Sequence, residues 1–505
     1  MHSDSRRQAL LSGVAAWIGA ACSILPEARA ADVPRYELGV ASGDPRPDSV
    51  VLWTRLTGVD LPPAVVVQWE VASDEAFRQI VARGSENAEA AWAHSVHAEP
   101  AGLEPARWYW YRFRALGQQS PVGRTRTAPA VDAVARLKTA IASCQRYDHG
   151  EWAAWQHMAT QDLDLVLFLG DYIYEYGSAA GALRAHEGGH LRTLEQYRQR
   201  YAQYKREPAL QAAHAAFPWL VIADDHEVEN DYGADRSPTL SGPEMLALRS
   251  AAFQAWWEHQ PLPKALRPQG HDLRMHRRLD WGRLARIHAL DDRQYRDPHA
   301  CVAPRRVGGA ATLMDADCAA LADPKRSLLG PAQERWLAEG WDPQRRWNLL
   351  AQQTLMARYT THADGRSWTD GWDGYTASRQ RLLGQVAERR LPGVLVLGGD
   401  VHANFVADLK LDFDDPKAAV IASEFCGTSI SSHGRPQASV DAALPLNPHL
   451  HLGRSDQRGY IAFDIDDRQC LATLMTVERP RDAASPVRET ARFVVDPARP
   501  GPQRG

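Results

Sequence analysis

Five short apolar runs in this 505-residue chain each close on residues able to bind a metal or move a proton, and that repetition constrains the fold more than any other feature. Run 137–143 ends in Ser143-Cys144-Gln145, and run 163–169 in Gly170-Asp171. Run 219–223 leads into Asp224-Asp225-His226-Glu227, 284–290 into Asp291-Asp292-Arg293, and 394–397 into Gly399-Asp400-Val401-His402. A sixth run, 347–351, has the same texture, and polar stretches such as 195–204 and 380–390 carry a helical pattern between them. Buried strands alternating with helices predict an α/β sheet covered by helices. Sites in such sheets lie beyond the carboxyl ends of the strands, so the five endings are expected at one edge.

The donors delivered there are one thiol (Cys144), three carboxylates (Asp171, Asp225, Asp400), one phenol (Tyr174) and one imidazole (His402). A single zinc would use only four ligands. So many anionic donors point to two or more cations sharing a bridging carboxylate, for which Asp171, after the turn at Gly170, is the natural residue. Thiolate with phenolate poorly suits magnesium or calcium, which prefer oxygen. It suits ferric iron, with the carboxylates holding a second, oxygen-loving ion. Such a pair clamps a phosphoryl group and activates a water for in-line attack. His226, beside a ligand, is placed to hydrogen-bond a phosphate oxygen or protonate the leaving alkoxide.

The stretch before the first of these runs is different. From Tyr36 to about Ala128, short β-rich runs such as 65–71 and 108–114 are broken by turn residues, which predicts a small antiparallel sandwich. Leu103-Glu104-Pro105 ahead of Tyr109 is similar to the tyrosine corner of fibronectin-type modules. Residues 123–134 are expected to be a linker. Residues 1–30 carry adjacent arginines, an uncharged apolar stretch and Ala28-Arg29-Ala30, the pattern of a twin-arginine signal peptide. The expected product is exported, periplasmic or secreted, without a membrane anchor in its mature form. A formal charge of −4 offers no basic excess for nucleic acid.

In this order and spacing, Ala142-Ser143-Cys144-Gln145, Gly170-Asp171-Tyr172-Ile173-Tyr174-Glu175, Asp224-Asp225-His226-Glu227-Val228-Glu229-Asn230, Leu290-Asp291-Asp292-Arg293-Gln294-Tyr295-Arg296, Trp372-Asp373-Gly374-Tyr375 and Gly399-Asp400-Val401-His402-Ala403-Asn404 resemble the PhoD-like alkaline phosphatases. These are relatives of the purple acid phosphatases within the metallophosphoesterases. Ala41-Ser42-Gly43-Asp44-Pro45 and Val51-Leu52-Trp53-Thr54-Arg55 extend the resemblance to the amino-terminal module. It implies a metallophosphoesterase-type β-sandwich flanked by helices over residues 137–478, preceded by an all-β domain over 36–128 and followed by a tail at 479–505. It also implies an Fe3+–Ca2+ centre hydrolysing phosphate monoesters and diesters. Cys144, Asp171, Tyr174 and His402 match the iron ligands, and Asp171, Asp225 and Asp400 the calcium ligands. Asn230, Asp370 and Asp373 are further candidates for calcium, and Asn230 and Arg293 for substrate. His362 is the one candidate for an additional purple-phosphatase histidine.

Arg293 and Arg296 offer guanidinium forks suited to phosphate, with pairing to Asp291, Asp292 or Asp297 as the structural alternative. Cys301 and Cys318 are expected to form a disulfide in an exported protein, Cys426 and Cys470 to be small buried hydrophobes, and Trp152, Trp155, Trp256 and Trp257 to pack the core. The carboxy-terminal stretch, rich in Pro and Arg, is expected to be a loose tail rather than a lid. The expected activity is that of an exported, monomeric alkaline phosphatase acting on phosphate esters after passage through the twin-arginine machinery. The alternatives are a phosphodiesterase with the same metals and a non-catalytic envelope-binding protein.

Overall fold

The computed structural model describes residues 33–505; the signal-peptide reading of residues 1–30 falls outside them. Two mixed sheets form the main body. The larger has ten strands, with Leu137–Ala142, Leu165–Phe168 and Pro218–Val221 side by side and parallel near its middle. The smaller has seven, with Ala285–Ala289, Trp347–Ala351, Val394–Gly398 and Val420–Cys426 parallel. Residues of Leu165–Phe168 and Val394–Gly398 are buried throughout, as parallel strands covered on both faces must be. One apolar core joins the inner faces of the two sheets, where Phe425 meets Phe463 and Phe493 edge-on. Helices Ala153–Met158, Leu194–Lys205, Pro208–Ala216 and Pro243–His259 contribute Trp155, Tyr201, Leu210 and Trp256 to this core. Helices Gly330–Gly340 and Thr376–Arg389 build a second core with residues of the seven-stranded sheet. The expected tryptophans at 152, 155, 256 and 257 are all buried, Cys426 and Cys470 are fully buried, and Cys301 bonds Cys318.

The register explains the site. Phe168 pairs with both Ala142 and Val221, so three strands of the larger sheet end level. Ala351 pairs with both Ala289 and Leu397, which does the same for the smaller one. The residues that follow are therefore carried to one edge.

The amino-terminal region is all-β, as expected. Ala64–Ala72, Ile80–Glu89, Trp108–Ala115 and Gln118–Gln119 form a separate sheet whose inner aromatics, Tyr109, Tyr111 and Phe113, are core. The Glu104 backbone N–H donates to the Tyr109 hydroxyl at 2.8 Å, which makes the expected corner. Its other strands, Val40–Gly43, Val51–Arg55 and Ser95–Ala98, extend the ten-stranded sheet, with Val40–Gly43 parallel to Pro218–Val221. The boundary between the regions is thus a shared sheet, and part of the expected linker is a strand, Gly123–Arg126, paired with Trp108–Ala115.

The tail needs correction. Val487–Asp496 and Arg499–Arg504 are the last two strands of the ten-stranded sheet. Ala491, Phe493 and Val495 face inward while Thr490 and Arg492 stay exposed. This period of two is hidden by the charged outer face. Burying Phe493 contributes about 1.5–3 kcal/mol, and Pro500 and Pro502 are tolerated because their strand lies at an edge. No helix among the described residues is long and apolar enough to cross a membrane.

Candidate metal centre

Four of the expected ligands are set by unusual backbone. Cys144, Asp171, Asp400 and His402 take φ values of 57°, 60°, 63° and 54°, a left-handed region costly for residues with a Cβ and found where a side chain must be re-aimed. Each follows a buried strand, so the chain turns sharply and points the donor back over the sheet edge. Close approach demands glycine beside them: a Cβ on Gly170 (φ +106°) would lie 2.4 Å from that of Asp224. The Cys144 and Gln145 N–H groups donate to the Gly170 and Asp171 carbonyls, tying the first two turns together.

The donors converge as the sequence predicts. Atoms of Cys144, Asp171 and His402 able to bind a metal lie within 4.8 Å of one another, as do those of Asp171, Asp224, Asp225 and Asp400. The Tyr174 hydroxyl is 2.7 Å from Asp171 Oδ2 and 3.1 Å from His402 Nε2. Nδ1–H of His402 donates to the His433 carbonyl at 2.8 Å, leaving Nε2 as the lone pair that faces the phenol, the arrangement that orients a metal-binding histidine. Ser432 Oγ donates to the Tyr174 oxygen at 2.7 Å, and Thr354 Oγ1 to Asp400 at 2.9 Å.

A donor set of this kind fits cations. Asp171 Oδ1 and Asp224 Oδ2 are buried with no partner among the described residues, and an unpaired buried carboxylate oxygen is costly. Burial, joined by the charge of Asp171, pushes the Cys144 thiol and the Tyr174 phenol well above their usual ranges. Burial likewise raises Asp400 and Asp225, against the pull of Arg293. Thiol, phenol and carboxylates gathered in one buried cluster therefore call for positive charge, part of which Arg293 supplies from beneath Asp224, Asp225 and Asp400.

Arg293 is where the expectation changes. It is 1% exposed; Nε donates to Asp224, Nη1 to Asp370 at 2.8 Å, and Nη2 lies 3.7 Å from both Asp225 and Asp400. A guanidinium so enclosed is a counter-charge under the carboxylates, not a fork open to substrate, and its partners are not Asp291, Asp292 or Asp297. Arg296 is likewise held by Asp370, at 2.7 Å. Asp373 is also corrected: its oxygens take Arg379 Nη1 at 2.6 Å and the Tyr359 N–H at 2.8 Å, a structural turn. His362 is exposed and bonds Thr361, so it supplies no additional ligand. Asp370 stays near the centre, its carboxylate within 4.8 Å of donors on Asp225 and Asp231. Asn230 is half-buried at the rim, its N–H donating to Glu175 at 2.9 Å.

His226 stands beside the centre with Nδ1 2.6 Å from Glu175 Oε2. Burial opposes its charge, but Glu175, Asp171 and Asp225 raise it well above the ordinary imidazole range. Glu227 accepts from the backbone N–H groups of Asp171, Tyr172 and Asp224, locking two strand ends to each other. Sequence reasoning missed Glu175, Glu227, Asp224, Asp231 and Ser432. The first three lie inside the quoted motifs, where unassigned acids were the available signal. Ser432, far along the chain in a loop, carried none.

Two family models match the chain: "PhoD-like phosphatase" over residues 139–474 and "PhoD-like phosphatase, N-terminal domain" over residues 21–129. Alkaline phosphatase D of Bacillus subtilis (strain 168) is 42% identical over 478 residues, covering 91% of this chain and 80% of that protein. A solved structure of PhoD superposes with a TM-score of 0.87 at 41% identity, over 93% of this chain and 92% of its own. A purple acid phosphatase from seeds of yellow lupin (Lupinus luteus) gives a TM-score of 0.55 at 11% identity, over 91% of this chain and 73% of its own, a likeness of fold alone.

Proposed function

The chain belongs to the PhoD-like phosphatase family, and from that premise we propose that it is an exported alkaline phosphatase that hydrolyses phosphate monoesters and diesters at an iron–calcium centre. The observation that carries this reading is the gathering of a thiol, a phenol, an imidazole and four carboxylates where strand ends of the two sheets meet. Cys144, Tyr174, Asp171 and His402 would hold Fe3+; Asp171, Asp225 and Asp400 would hold Ca2+, with Asp224 adjoining. When bound, the cations supply Lewis acidity toward the phosphoryl oxygens and an activated water.

The remaining work falls to the chain itself. His433 and Ser432 fix the orientation of His402 and Tyr174. Arg293 offsets carboxylate repulsion from below. Glu175 accepts Nδ1–H of His226, which leaves Nε2 to hydrogen-bond a phosphoryl oxygen or to pass a proton to the departing alkoxide. An intact donor set argues against a vestigial centre. The arginine pair at Arg6-Arg7 supports export by the twin-arginine route, with the folded, metal-loaded enzyme as its cargo.

Elemental analysis of purified protein tests the metals: iron together with calcium is expected, and a fully active protein holding only zinc contradicts the assignment. Cys144→Ala and Asp171→Ala are each expected to abolish hydrolysis of p-nitrophenyl phosphate without unfolding the chain. Retained activity in both sinks the site. A diester turned over on the same preparation about a hundredfold better than a monoester would mark the enzyme as a phosphodiesterase.

A further inference from the structure

Away from the metal centre, a cleft of about 340 Å³ opens between strands Ile80–Glu89 and Ser95–Ala98 and the end of helix Pro243–His259. That volume falls within the range of small-molecule sites. Two of its lining residues each carry a buried polar atom with no hydrogen-bond partner among the described residues. Ser95 is 6% exposed and its Oγ has no partner; His97 is 3% exposed and its Nε2 has none. They lie two residues apart on one strand and so face the same way. Native structures rarely leave such atoms unsatisfied, and each orphan calls for an explanation.

The state of His97 is fixed by its surroundings. Nδ1 is 2.8 Å from the Leu262 carbonyl, and the ring stacks on Trp257 with centroids 3.8 Å apart. Burial holds its pKa down at about 3, so the imidazole is neutral, donates through Nδ1 and offers Nε2 as a lone pair. Trp257 in turn meets Trp92 edge-to-face at 5.2 Å, and the Arg267 guanidinium lies 3.7 Å from the Trp92 ring centre. Trp92 remains half-exposed at the cleft wall. The two residues after it, Ala93 and His94, both take left-handed φ values of 51° and 54°, conformations that persist only where the surroundings enforce them.

The lining selects among ligand classes. An anion would meet the His97 lone pair with Glu86 and Glu89. A metal cation would meet Lys264 and Arg267. A purely apolar ligand would leave both orphan atoms unsatisfied. An uncharged ligand carrying several hydroxyls answers all of them: it donates to His97 Nε2 and the carboxylates, accepts from Arg267, exchanges with Ser95, and lays C–H surface on indole.

We propose that this cleft is a saccharide-binding site in the amino-terminal region of the enzyme. It uses none of the residues of the metal centre, so it stands or falls independently of the phosphatase reading. The test is saturation-transfer NMR and tryptophan-fluorescence titration of the full-length enzyme with maltose, cellobiose and diacetylchitobiose. A saturable response to at least one disaccharide is expected. Trp92→Ala should weaken it about tenfold or more, and Ser95→Ala about fivefold, with p-nitrophenyl phosphate turnover unchanged. Ser95→Ala removes only an unpaired hydroxyl, so its fold is safe even if loss of Trp92 disturbs Trp257 and Arg267. No saturable response to any of the three, or a response that survives Ser95→Ala and Trp92→Ala undiminished, overturns the proposal.

Discussion

Glu175→Gln is the sharpest probe of how the chain, as distinct from its metals, drives hydrolysis. Glu175 is fully buried and uses both oxygens: Oε2 on His226 Nδ1 at 2.6 Å and Oε1 on the Asn230 N–H at 2.9 Å. A glutamine keeps the shape but has one acceptor where two donors require two. If its oxygen stays on Asn230, its amide N–H faces His226 Nδ1 and the imidazolium must give up its Nδ1 proton, leaving a neutral ring protonated only at Nε2. If it turns round, two N–H groups oppose each other at Asn230, at a cost of about 1–3 kcal/mol. Exchanging a charge-assisted bond for a neutral one loses about 1 kcal/mol in addition. On an ester with an activated phenolate leaving group, which needs no proton, the loss of the charge-assisted bond is what bears on kcat, and about 1 kcal/mol there lowers it about fivefold. On an alkyl phosphate the general-acid contribution is also lost, and the fall should reach about a hundredfold or more. Steady-state kinetics on p-nitrophenyl phosphate and an alkyl phosphate, with melting curves to confirm folding, measure both. An alkyl ester hydrolysed at the wild-type rate would refute the role given to His226 and its partner.

Two further outcomes are expected. Asp370→Asn removes the charge that Asp370 sets against Arg293, Arg296 and His299, all buried; urea denaturation should register a loss of about 3–5 kcal/mol, and a loss under about 1 kcal/mol would mean the remaining carboxylates, Asp224, Asp225 and Asp400, suffice for Arg293. Glu424, fully buried beneath the Met356 and Ala357 N–H groups, is pushed up by burial from 4.5 to about 7. The folded state then holds the proton longer than the unfolded one, so this group's contribution is fully present below pH 4.5 and is lost as pH rises through 7. Against Glu424→Gln, wild-type stability should decline by about 3 kcal/mol between pH 4.5 and 8 in paired thermal melts, and a difference constant across that range would show the carboxyl to be unshifted.

The strand endings were legible because each combined a fully apolar run with residues that have no business in a core. Cys144, Asp171 and Asp225 share one edge because their parallel strands end level, whereas Asp400 and His402 follow a strand of the second sheet, a division that the strand pattern did not reveal. What the sequence withheld was coupling between distant segments. Arg293 read either as a phosphate fork or as a partner of the nearby Asp291, Asp292 or Asp297, because nothing in its neighbourhood announces Asp370, 77 residues on, as a partner. Ser432 reaches Tyr174 across 258 residues. The tail was misread for a related reason: arginines and prolines dominate its composition, while the buried set, Ala491, Phe493 and Val495, is visible only once a neighbouring strand gives the alternation an inside.

These misreadings share one electrostatic cause. A cluster holding Asp171, Asp224, Asp225 and Asp400 finds one counter-charge on its own strand ends, His226 beside Asp171 and Asp225, and needs more. Compensation must come from whatever element passes below or behind, and its position is set by the packing of the two sheets, not by sequence distance. Arg293 is aimed at this floor from the smaller sheet while three of the four carboxylates descend from the larger. The centre therefore depends on the two sheets being held face to face. Residues such as Phe425 and Phe493, in the core between the sheets, help set the spacing at which one arginine reaches Asp224, Asp225 and Asp400 together.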